Sequence, residues 1–377
     1  MKSIAFVTTT INVPIFLSDY VKLASKYPEG SVSFIIVGDN KTPESCEDFC
    51  HSLGHEYSVE VHYLSPERQR DMLLSFRSLG ESIPWNCIQR RNVGLLLAYG
   101  LGCDIILTLD DDNFLTDELF FERFQILGDE GIYPTLRNQN SWVNVCSWLD
   151  EVEGKQFFHR GFPVELRKDE YNNQKSYNEG CLPMVLAGLW TGEPDIDAAT
   201  RLSLAPTVKT YSGPDYFVLG KRMWSPFNSQ NTGLLRSVLP AYFLSPSIGR
   251  YDDIWASYVA LFAIQNISGT VAFGRPVAVQ NRNEHNVFRD LDMELFGMRN
   301  TETLHDWLNG VPDTGKDTRG WAEVAIDFIE KALDDCTLVE GDLDKFKSFC
   351  QGYRTWFSAI DKMDSDGSQR WKDWLNG

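Results

Sequence analysis

The chain has 377 residues, a formal net charge of −18 and a sequence pI of about 4.8. With 43% hydrophobic and 23% charged residues it has the composition of a folded globular protein. So acidic a surface opposes binding to a nucleic-acid backbone, and no apolar run reaches the roughly 18 residues of a membrane span. The eight cysteines form no CxxC pair and the amino terminus has no signal peptide, so we expect reduced thiols and a cytoplasmic protein.

Four apolar runs in the first 110 residues predict the strands of an open α/β sheet. They are Ser3–Thr9, Ser31–Val37, Tyr57–Leu64 and Cys103–Leu109. Helical spacing over Ile15–Tyr27 separates the first two runs. Because strand and helix alternate, the sheet should bind its ligands at the carboxyl ends of the strands.

A second helix is predicted just before the fourth strand. It would be capped by Asn86, have Ile88 on its apolar face and stop at Gly100 or Gly102. The following segment, residues 130–250, is rich in Asn, Gly, Pro and aromatic residues and is predicted to be irregular, with a polar loop over Arg167–Asn178.

Helical periodicity returns near the carboxyl terminus. Trp321–Leu333 and Leu343–Ile360 both show it. We therefore predict a catalytic domain of residues 1–295, followed by a helical extension of residues 296–377.

Three acids in a row follow the fourth predicted strand, in the run ILTLDDDNFL (residues 106–115). Adjacent carboxylates repel one another, so a half-buried cluster of them needs a cation. Asp110 and Asp112 can hold one divalent ion, whose open positions take the oxygens of a diphosphate. A solvated turn is the alternative, but the place of the triplet after a sheet strand favours a ligand site. The same edge of the predicted sheet carries Thr8, Thr9, Thr10 and Asp39.

The segment GLWTGEPDIDAATRLS (residues 188–203) combines an aromatic residue with carboxylates. Trp190, Asp195 and Asp197 suit a sugar pocket, in which a ring contacts the apolar face of the sugar and acids bind its hydroxyls. The alternative is structural, namely the start of a capped helix at Asp195–Ala199.

Two adjacent acids, Asp252 and Asp253, occur in SIGRYDDIWASYVA (residues 247–260). Either could cap the apolar helix that begins at Ile254. Because they follow Arg250 in a turn at the expected pocket, they also suit a general base or a residue that orients a hydroxyl.

Two arginines, Arg160 and Arg167, occur in FFHRGFPVELR (residues 157–167). In so acidic a chain, arginines among aromatic residues could bind phosphate, and solvent-facing side chains are the alternative. No GxGxxG or GxxxxGK[ST] pattern is present to support a dinucleotide-binding fold or a P-loop ATPase.

In this order the clusters resemble the reversibly glycosylated polypeptides, the family that includes the plant UDP-arabinopyranose mutases. The matching pieces are TLDDDNF, HRGFPVELR, GLWTGEPDIDAATRL, FNSQNTGLLRSVLPAYF, IGRYDDIWASY and, more faintly, NEHNVF. The resemblance covers the chain from about residue 85 to about residue 290. It implies an α/β fold of the GT-A glycosyltransferase (Rossmann-like) type that binds a UDP-sugar with Mn²⁺ or Mg²⁺.

The resemblance also implies roles for single residues. The reversibly glycosylated arginine would be Arg160, with Arg167 as its needed neighbour. This chain has Asn113 where the family usually has Cys, and it has VQNRNEHNVF in place of WHSKASNPF, so that His285 is left as a metal or phosphate contact. The implied metal ligands are Asp110, Asp112 and His285. The implied nucleotide contacts are Thr8, Thr9, Asp39, Asp111 and Arg90 or Arg91. The implied sugar contacts are Trp190, Asp195, Asp197 and Arg167, and the catalytic residues Arg160 and Asp252 or Asp253.

Three classes of function fit these observations. The first is an enzyme on a UDP-sugar, either a mutase that returns the sugar to UDP in another ring form or a glycosyltransferase that passes it to an acceptor. The second is a catalytically reduced, sugar-nucleotide-binding partner within a homo- or hetero-oligomer. The third is a scaffold, which predicts no metal-dependent nucleotide binding.

Overall fold

The computed structural model describes residues 1–168, 173–282, 286–312 and 314–376, and a parallel sheet forms its amino-terminal part. The strands are β1 (Ile4–Thr9), β2 (Val32–Val37), β3 (Glu60–Leu64) and β4 (Ile105–Leu109). They pair in parallel in the order β3-β2-β1-β4. The four predicted strands are confirmed, so Asp39 and the acid triplet follow strands that end at one edge of the sheet.

Both faces of this parallel sheet are covered by helices. The helices of this region are α1 (Leu17–Ala24), α2 (Ser45–Tyr57), α3 (Pro66–Leu73), α4 (Arg77–Ser82) and α5 (Arg91–Leu101). Because side chains alternate along a strand, Ile4 and Phe6 pack with α1 and α2, whereas Ala5 and Val7 pack with α5 on the other face. This burial on both faces explains the unbroken apolar runs of the sequence.

The predicted cap at Asn86 is wrong. Asn86 has a positive φ of 59°, and a short 3₁₀ helix over Ile88–Arg90 precedes α5. Ile88 is 44% exposed rather than part of the apolar face. The predicted end of the helix at Gly102 is confirmed, because this residue adopts a left-handed φ of 81° at the C-cap.

The sheet continues with antiparallel and mixed pairing. The further strands are β5 (Asn113–Leu115), β6 (Gly131–Arg137), β7 (Leu149–Glu151), β8 (Lys175–Gly192), β9 (Val208–Tyr211), β10 (Tyr216–Leu219), β11 (Asn231–Leu235) and β12 (Gly269–Gln280). Strand β11 lies antiparallel to β4 and to β8. In the described residues the sheet has the order β3-β2-β1-β4-β11-β8-β6-β10-β12-β5, with β7 and β9 attached beside β8. The large mixed sheet confirms the predicted α/β class.

The prediction that residues 130–250 are irregular is wrong. Six strands, β6 to β11, lie in this segment of the described chain. The amino-terminal half of β8 is exposed and polar and pairs with β6 through the backbone. Since no face of this half is buried, the sequence there carries no hydrophobic alternation. The predicted polar loop over Arg167–Asn178 is therefore wrong at residues 175–178, which belong to β8, and its residues 169–172 lie outside the described residues.

Helices cover the second part of the sheet and form the carboxyl-terminal part. They are α6 (Phe120–Arg123), α7 (Ala198–Ser203), α8 (Asp252–Gln265), α9 (Val287–Gly310), α10 (Thr318–Asp335), α11 (Asp342–Asp366) and α12 (Ser368–Asn376). The predicted helices in the extension are confirmed as α10 and α11. Helix α8 is buried on all sides because it lies between β12 and α10.

The carboxyl-terminal helices pack closely on α5. A Cβ added at Gly100 would lie 2.7 Å from the sulfur of Met363 and 3.2 Å from the Trp371 ring, so only glycine permits this approach. Helix α9 runs across the predicted boundary at residues 295 and 296, and the division into two domains stays a prediction. Within the described residues, no helix combines the length and apolar character needed to cross a bilayer.

Candidate active site

A cavity of about 340 Å³ opens at the carboxyl ends of β1 and β4. Its size lies within the range of small-molecule sites, about 300–1,000 Å³. The predicted site residues that line it are Thr9, Arg91, Asp110, Asp111, Asp112, Arg160, Asp195, Asp252 and Asp253. The structure thus brings together motifs that lie more than a hundred residues apart in the sequence.

The acid triplet lies where β4 ends, and each of its carboxylates has a different partner. Asp110 accepts a hydrogen bond of 2.5 Å from Nη2 of Arg91. Asp111 accepts one of 3.0 Å from the hydroxyl of Thr10. Asp112 accepts from the amides of Asn113 and Gln280, at 2.9 and 3.3 Å.

Charge in the triplet is only partly compensated by the chain. Burial, followed by the charge of Asp110, raises the pKa of the Asp112 carboxyl to about 7. Burial likewise raises the pKa of Asp111. Arg91 is buried and pairs with Asp110, while its Nη1 donates to Ser229. It therefore fixes one carboxylate of the triplet, and among the described residues neither Asp111 nor Asp112 forms an ion pair of its own.

The donor set of the triplet fits a hard divalent cation. Among the described residues, no three His, Cys, Asp or Glu side chains are already placed to hold a metal ion. However, the buried Oε1 of Gln280 has no hydrogen-bond partner in the described part of the chain, and the Nε2 of the same side chain contacts Asp112. Carboxylate and amide oxygens are the ligands that Mg²⁺ and Mn²⁺ prefer. The predicted ligand His285 lies outside the described residues.

A second pocket of about 210 Å³ adjoins the cavity and shares Thr9 and Asp111 with it. Ile11 and Ile88 line it with apolar side chains that are 53% and 44% exposed. Asp39, at the end of β2, lies on its wall and accepts backbone N–H bonds of 2.7 Å from Asn40 and Asn86. Apolar walls beside the carboxylate of Asp39 suit a nucleoside.

Arg90 lines this second pocket, and no local sequence pattern indicates the contacts that hold its side chain there. Its guanidinium stacks on Trp85, 3.8 Å from the ring centroid, and donates twice to Oε1 of Gln69. Burial lowers its pKa to about 10. The side chain is thus fixed and charged at the wall.

Arg160 is bound between two carboxylates at the floor of the larger cavity. It donates to both oxygens of Asp195, at 2.9 and 3.0 Å, and to both oxygens of Asp253, at 3.1 and 3.2 Å. It also donates to the carbonyl oxygen of Arg250. Burial alone would lower the pKa of this guanidinium, but the charges of Asp195 and Asp253 raise it well above its usual value. Arg160 is therefore a permanently charged, fully bonded cation.

Glycine at position 161 allows this arrangement. Gly161 has a left-handed φ of 92°, and a Cβ there would lie 2.3 Å from the Ile254 side chain of α8. A larger residue would push the Arg160 segment away from α8 and break the contact with Asp253.

Asp252 differs from its neighbour Asp253. Its carboxylate accepts a 2.8 Å hydrogen bond from Nε2 of Gln89. Burial, followed by the charge of Asp253, raises its pKa to about 7. Asp253 instead uses its oxygens on Arg160 and on the backbone N–H of Ser229. Neither acid is the N-cap of α8, which is Tyr251, but both lie in its first turn, where carboxylates interact favourably with the helix dipole.

Four predicted contacts lie away from both cavities. Thr8 is fully buried inside β1, and Trp190 is 3% exposed and packs against His159. Asp197 is the N-cap of α7 and accepts a 2.7 Å bond from Nη1 of Arg167. The predicted capped helix start is thus observed, and Arg167 pairs with the carboxylate that caps it. These four side chains therefore line neither cavity.

Several polar residues of the cavity were missed by sequence reasoning. They are Asn86, Gln89, Asn228, Ser229, Gln230, Gln280 and Arg282. Asn228, for example, donates a 2.7 Å bond to Asp195. Isolated amides in loops have no periodic signal. The family-like piece that begins with FNSQN contains Asn228, Ser229 and Gln230, and the segment VQNRNEHNVF contains Gln280 and Arg282, but neither segment assigned these residues a role.

Comparisons with known proteins found relatives whose names refer to a UDP-sugar. No family model matches the chain. The chain is 24% identical over 205 residues to probable UDP-arabinopyranose mutase 4 of Arabidopsis thaliana, which covers 53% of this chain and 52% of that protein. It is 25% identical to UDP-arabinopyranose mutase 3 of the same plant, over 69% of this chain and 68% of that one. It is also 25% identical to probable UDP-arabinopyranose mutase 1 of Pisum sativum, over 70% of this chain and 69% of that one. The chain thus spans between about half and two thirds of these relatives.

Among solved structures, the chain is similar to glucosyl-3-phosphoglycerate synthase of Mycobacterium tuberculosis. The complex with phosphoglyceric acid aligns with a TM-score of 0.40 at 14% identity, over 83% of this chain and 82% of that one. The complex with Mn²⁺ and UDP-glucose aligns with a TM-score of 0.38 at 14% identity, over 83% and 81%.

Proposed function

We propose that this protein is a divalent-metal-dependent enzyme that acts on a UDP-sugar, either by transferring the sugar or by rearranging its ring as a mutase. The observation that carries the proposal is the meeting of three features at one sheet edge. These are a nucleoside-sized pocket, an acid triplet with uncompensated charge, and a cavity lined by Asp252. The similarity to proteins named UDP-arabinopyranose mutases supports a UDP-sugar as the substrate.

In this proposal the nucleoside occupies the second pocket. The uracil ring would lie between Ile11 and Ile88, which line that pocket. Each oxygen of Asp39 accepts one backbone N–H and keeps a lone pair for a ribose hydroxyl or a base N–H. Arg90 would place a fixed positive charge beside the nucleotide.

Asp110 and Asp112 would hold the cation at the entrance to the larger cavity. A bound divalent ion would neutralise the negative charge of the diphosphate as it leaves. Arg91 orients the carboxylate of Asp110, and Gln280 orients that of Asp112. Ligands that are held by neighbouring hydrogen bonds need little rearrangement when a cation binds.

Asp252 is the proposed acid–base group. With a pKa of about 7 it can both accept and return a proton near neutral pH. The amide of Gln89 fixes its orientation, and it lines the same cavity as the triplet. Asp253 would act as a positioning residue, because its charge is used by Arg160.

Arg160, the residue that the family resemblance marks for glycosylation, is proposed here as a positioning cation. A guanidinium must lose a proton before it can attack an anomeric carbon, and Asp195 and Asp253 raise its pKa. Both carboxylates also occupy its N–H groups. The chain thus supports a role in which Arg160 fixes the acids around the sugar.

Turnover assays separate the two reactions. The protein is incubated with UDP-arabinopyranose or UDP-glucose and Mn²⁺, and products are resolved by anion-exchange chromatography. Ring isomerisation without an acceptor identifies a mutase, and Asp252-dependent release of UDP identifies sugar transfer. Metal-dependent UDP binding without turnover of any UDP-sugar would instead identify a catalytically reduced binding partner and contradict the proposed enzyme.

A further inference from the structure

Three arginines meet at the part of the larger cavity that the nucleoside pocket does not share. Arg250 precedes α8 and Arg282 follows β12, and both line the cavity. Arg201 of α7 lies beside them, and its pKa is lowered by burial and then by the charges of Arg282 and Arg250. Three positive charges held together repel one another, so the cluster is unfavourable unless nearby anions complete it.

The chain supplies only part of this compensation. Arg250 pairs with Glu294, 3.2 Å between Nε and Oε1, and more distantly with Asp290, at 3.5 Å. Glu294 also accepts the backbone N–H of Ala198. Arg201 contacts the exposed carboxylate of Glu193 at 3.2 Å. Among the described residues, two buried carboxylates, Asp290 and Glu294, form ion pairs with this cluster of three arginines.

Arg282 is the least satisfied member of the cluster. Its side chain is 8% exposed, and its ion pair with Asp290 is long, at 3.6 Å. Its Nε is buried and has no hydrogen-bond partner in the part of the chain that the structure describes. A buried guanidinium N–H without a hydrogen-bond partner is unfavourable, so this side chain indicates an external partner.

We propose that Arg282 and Arg250 bind an anionic group, a carboxylate or phosphate, carried by the molecule that reacts in the cavity. The inference rests on the proposed function and names a property of its substrates. A planar guanidinium binds such oxyanions through two parallel hydrogen bonds. The other walls carry Asp195, Asp252 and Asp253 and repel anions, so the anion would be directed to the arginine side and would orient its carrier against Asp252.

Two carriers share this chemistry, the sugar of the donor and a separate acceptor. A uronic sugar would bring its carboxylate on the donor itself. An acidic acceptor would bring the anion on the molecule whose hydroxyl receives the sugar. A third arrangement, contact of Arg282 with the diphosphate, is a competing reading, because the charge of Arg282 reaches Asp112.

Calorimetry on the full chain separates these cases. Sodium sulfate is titrated at constant ionic strength into the protein with and without saturating Mg²⁺ and UDP. UDP-glucuronate and UDP-glucose are compared in parallel. The variants are Arg282→Gln and Arg250→Gln, and Arg275→Gln is the matched control, since Arg275 lies on β12 and is 45% exposed in its pair with Asp215.

The proposal expects saturable sulfate binding that Arg282→Gln and Arg250→Gln weaken by about tenfold or more and Arg275→Gln leaves unchanged. If the protein binds UDP-glucuronate more tightly than UDP-glucose and Arg282→Gln removes this preference, the anion belongs to the donor. If it binds both sugar nucleotides equally and also binds sulfate, the anion belongs to the acceptor.

Two results overturn the proposal. One is the absence of both sulfate binding and uronate preference, or sulfate binding that neither arginine variant changes. The other is a loss of UDP affinity in Arg282→Gln as large as the loss of sulfate affinity, which assigns Arg282 to the diphosphate. If wild-type protein binds no UDP with metal, the proposed function fails. The sulfate titration without UDP then still measures anion binding by Arg282 and Arg250.

Discussion

Two acidic clusters face the same cavity, and they are neutralised differently. Asp195 and Asp253 share the internal cation Arg160, whose guanidinium bonds to both. The triplet has Arg91 on Asp110 alone, and the pKa of Asp112 remains raised to about 7. The first cluster is complete in the folded chain, whereas in our proposal the second is completed by a cation from solution. The difference separates a framework that positions groups from a site built to exchange a ligand.

The largest expected effect is on the stability of the first cluster. Replacing Arg160→Gln leaves the charges of Asp195 and Asp253 buried and unpaired, so we expect a loss of about 3–5 kcal/mol in the free energy of unfolding. Urea denaturation at pH 7 measures it. Arg275→Gln, which breaks an exposed pair, should cost less than about 1 kcal/mol. Equal, small losses in both variants would show that Arg160 is not the internal cation of the cluster.

The next effect is on turnover. Asp252→Asn removes the proposed acid–base group, so kcat should fall by about 100-fold or more while affinity for UDP is unchanged. Because the pKa of Asp252 is raised to about 7, the wild-type rate of a step that needs the carboxylate should rise with pH and level off above that value. A pH profile that is the same in Asp252→Asn would assign the acid–base step to another group.

A smaller effect on stability is expected at the triplet in metal-free protein, and it distinguishes the triplet from the cluster around Arg160. The pKa of Asp112 is raised in the folded chain, so its protonated form stabilises the fold. This stabilisation is complete below the unfolded pKa of about 3.9 and is lost as the pH rises through about 7. With EDTA at pH 8, Asp112→Asn should therefore be more stable than wild type by about 1–2 kcal/mol, and by much less at pH 5.

The opposite change in stability is expected at Asp195, because Arg160 lowers the pKa of this carboxyl against the effect of burial. Asp195→Asn should destabilise the protein at pH 8. If both variants lose stability under these conditions, the contrast between a complete and an incomplete cluster is wrong.

The sheet and the triplet could be predicted because local sequence determines them. Buried parallel strands are continuous apolar runs, and Asp110 follows the last of them directly. The amino-terminal half of β8 could not be predicted, because it is exposed and its pairing with β6 depends on backbone contacts with a distant segment.

The site was predicted in its charged residues and missed in its amides. Gln89 and Asp252 lie 163 positions apart, and no local pattern links them. Trp190 and Asp197 show the reverse error. An aromatic residue near acids was interpreted as a sugar pocket, although Asp197 with Thr200 three residues later is an N-cap pattern, and the structure uses it as one.

The most direct test of the central claim is calorimetric titration of UDP into wild-type protein and into Asp112→Asn, each with Mn²⁺ and with EDTA. We expect wild type to bind UDP only with Mn²⁺ and Asp112→Asn, still folded, to lose that binding. Asp129→Asn, at an exposed pair with Lys2, serves as the control. UDP binding that is equal with and without Mn²⁺, or unchanged in Asp112→Asn, would contradict a triplet that needs a cation from solution.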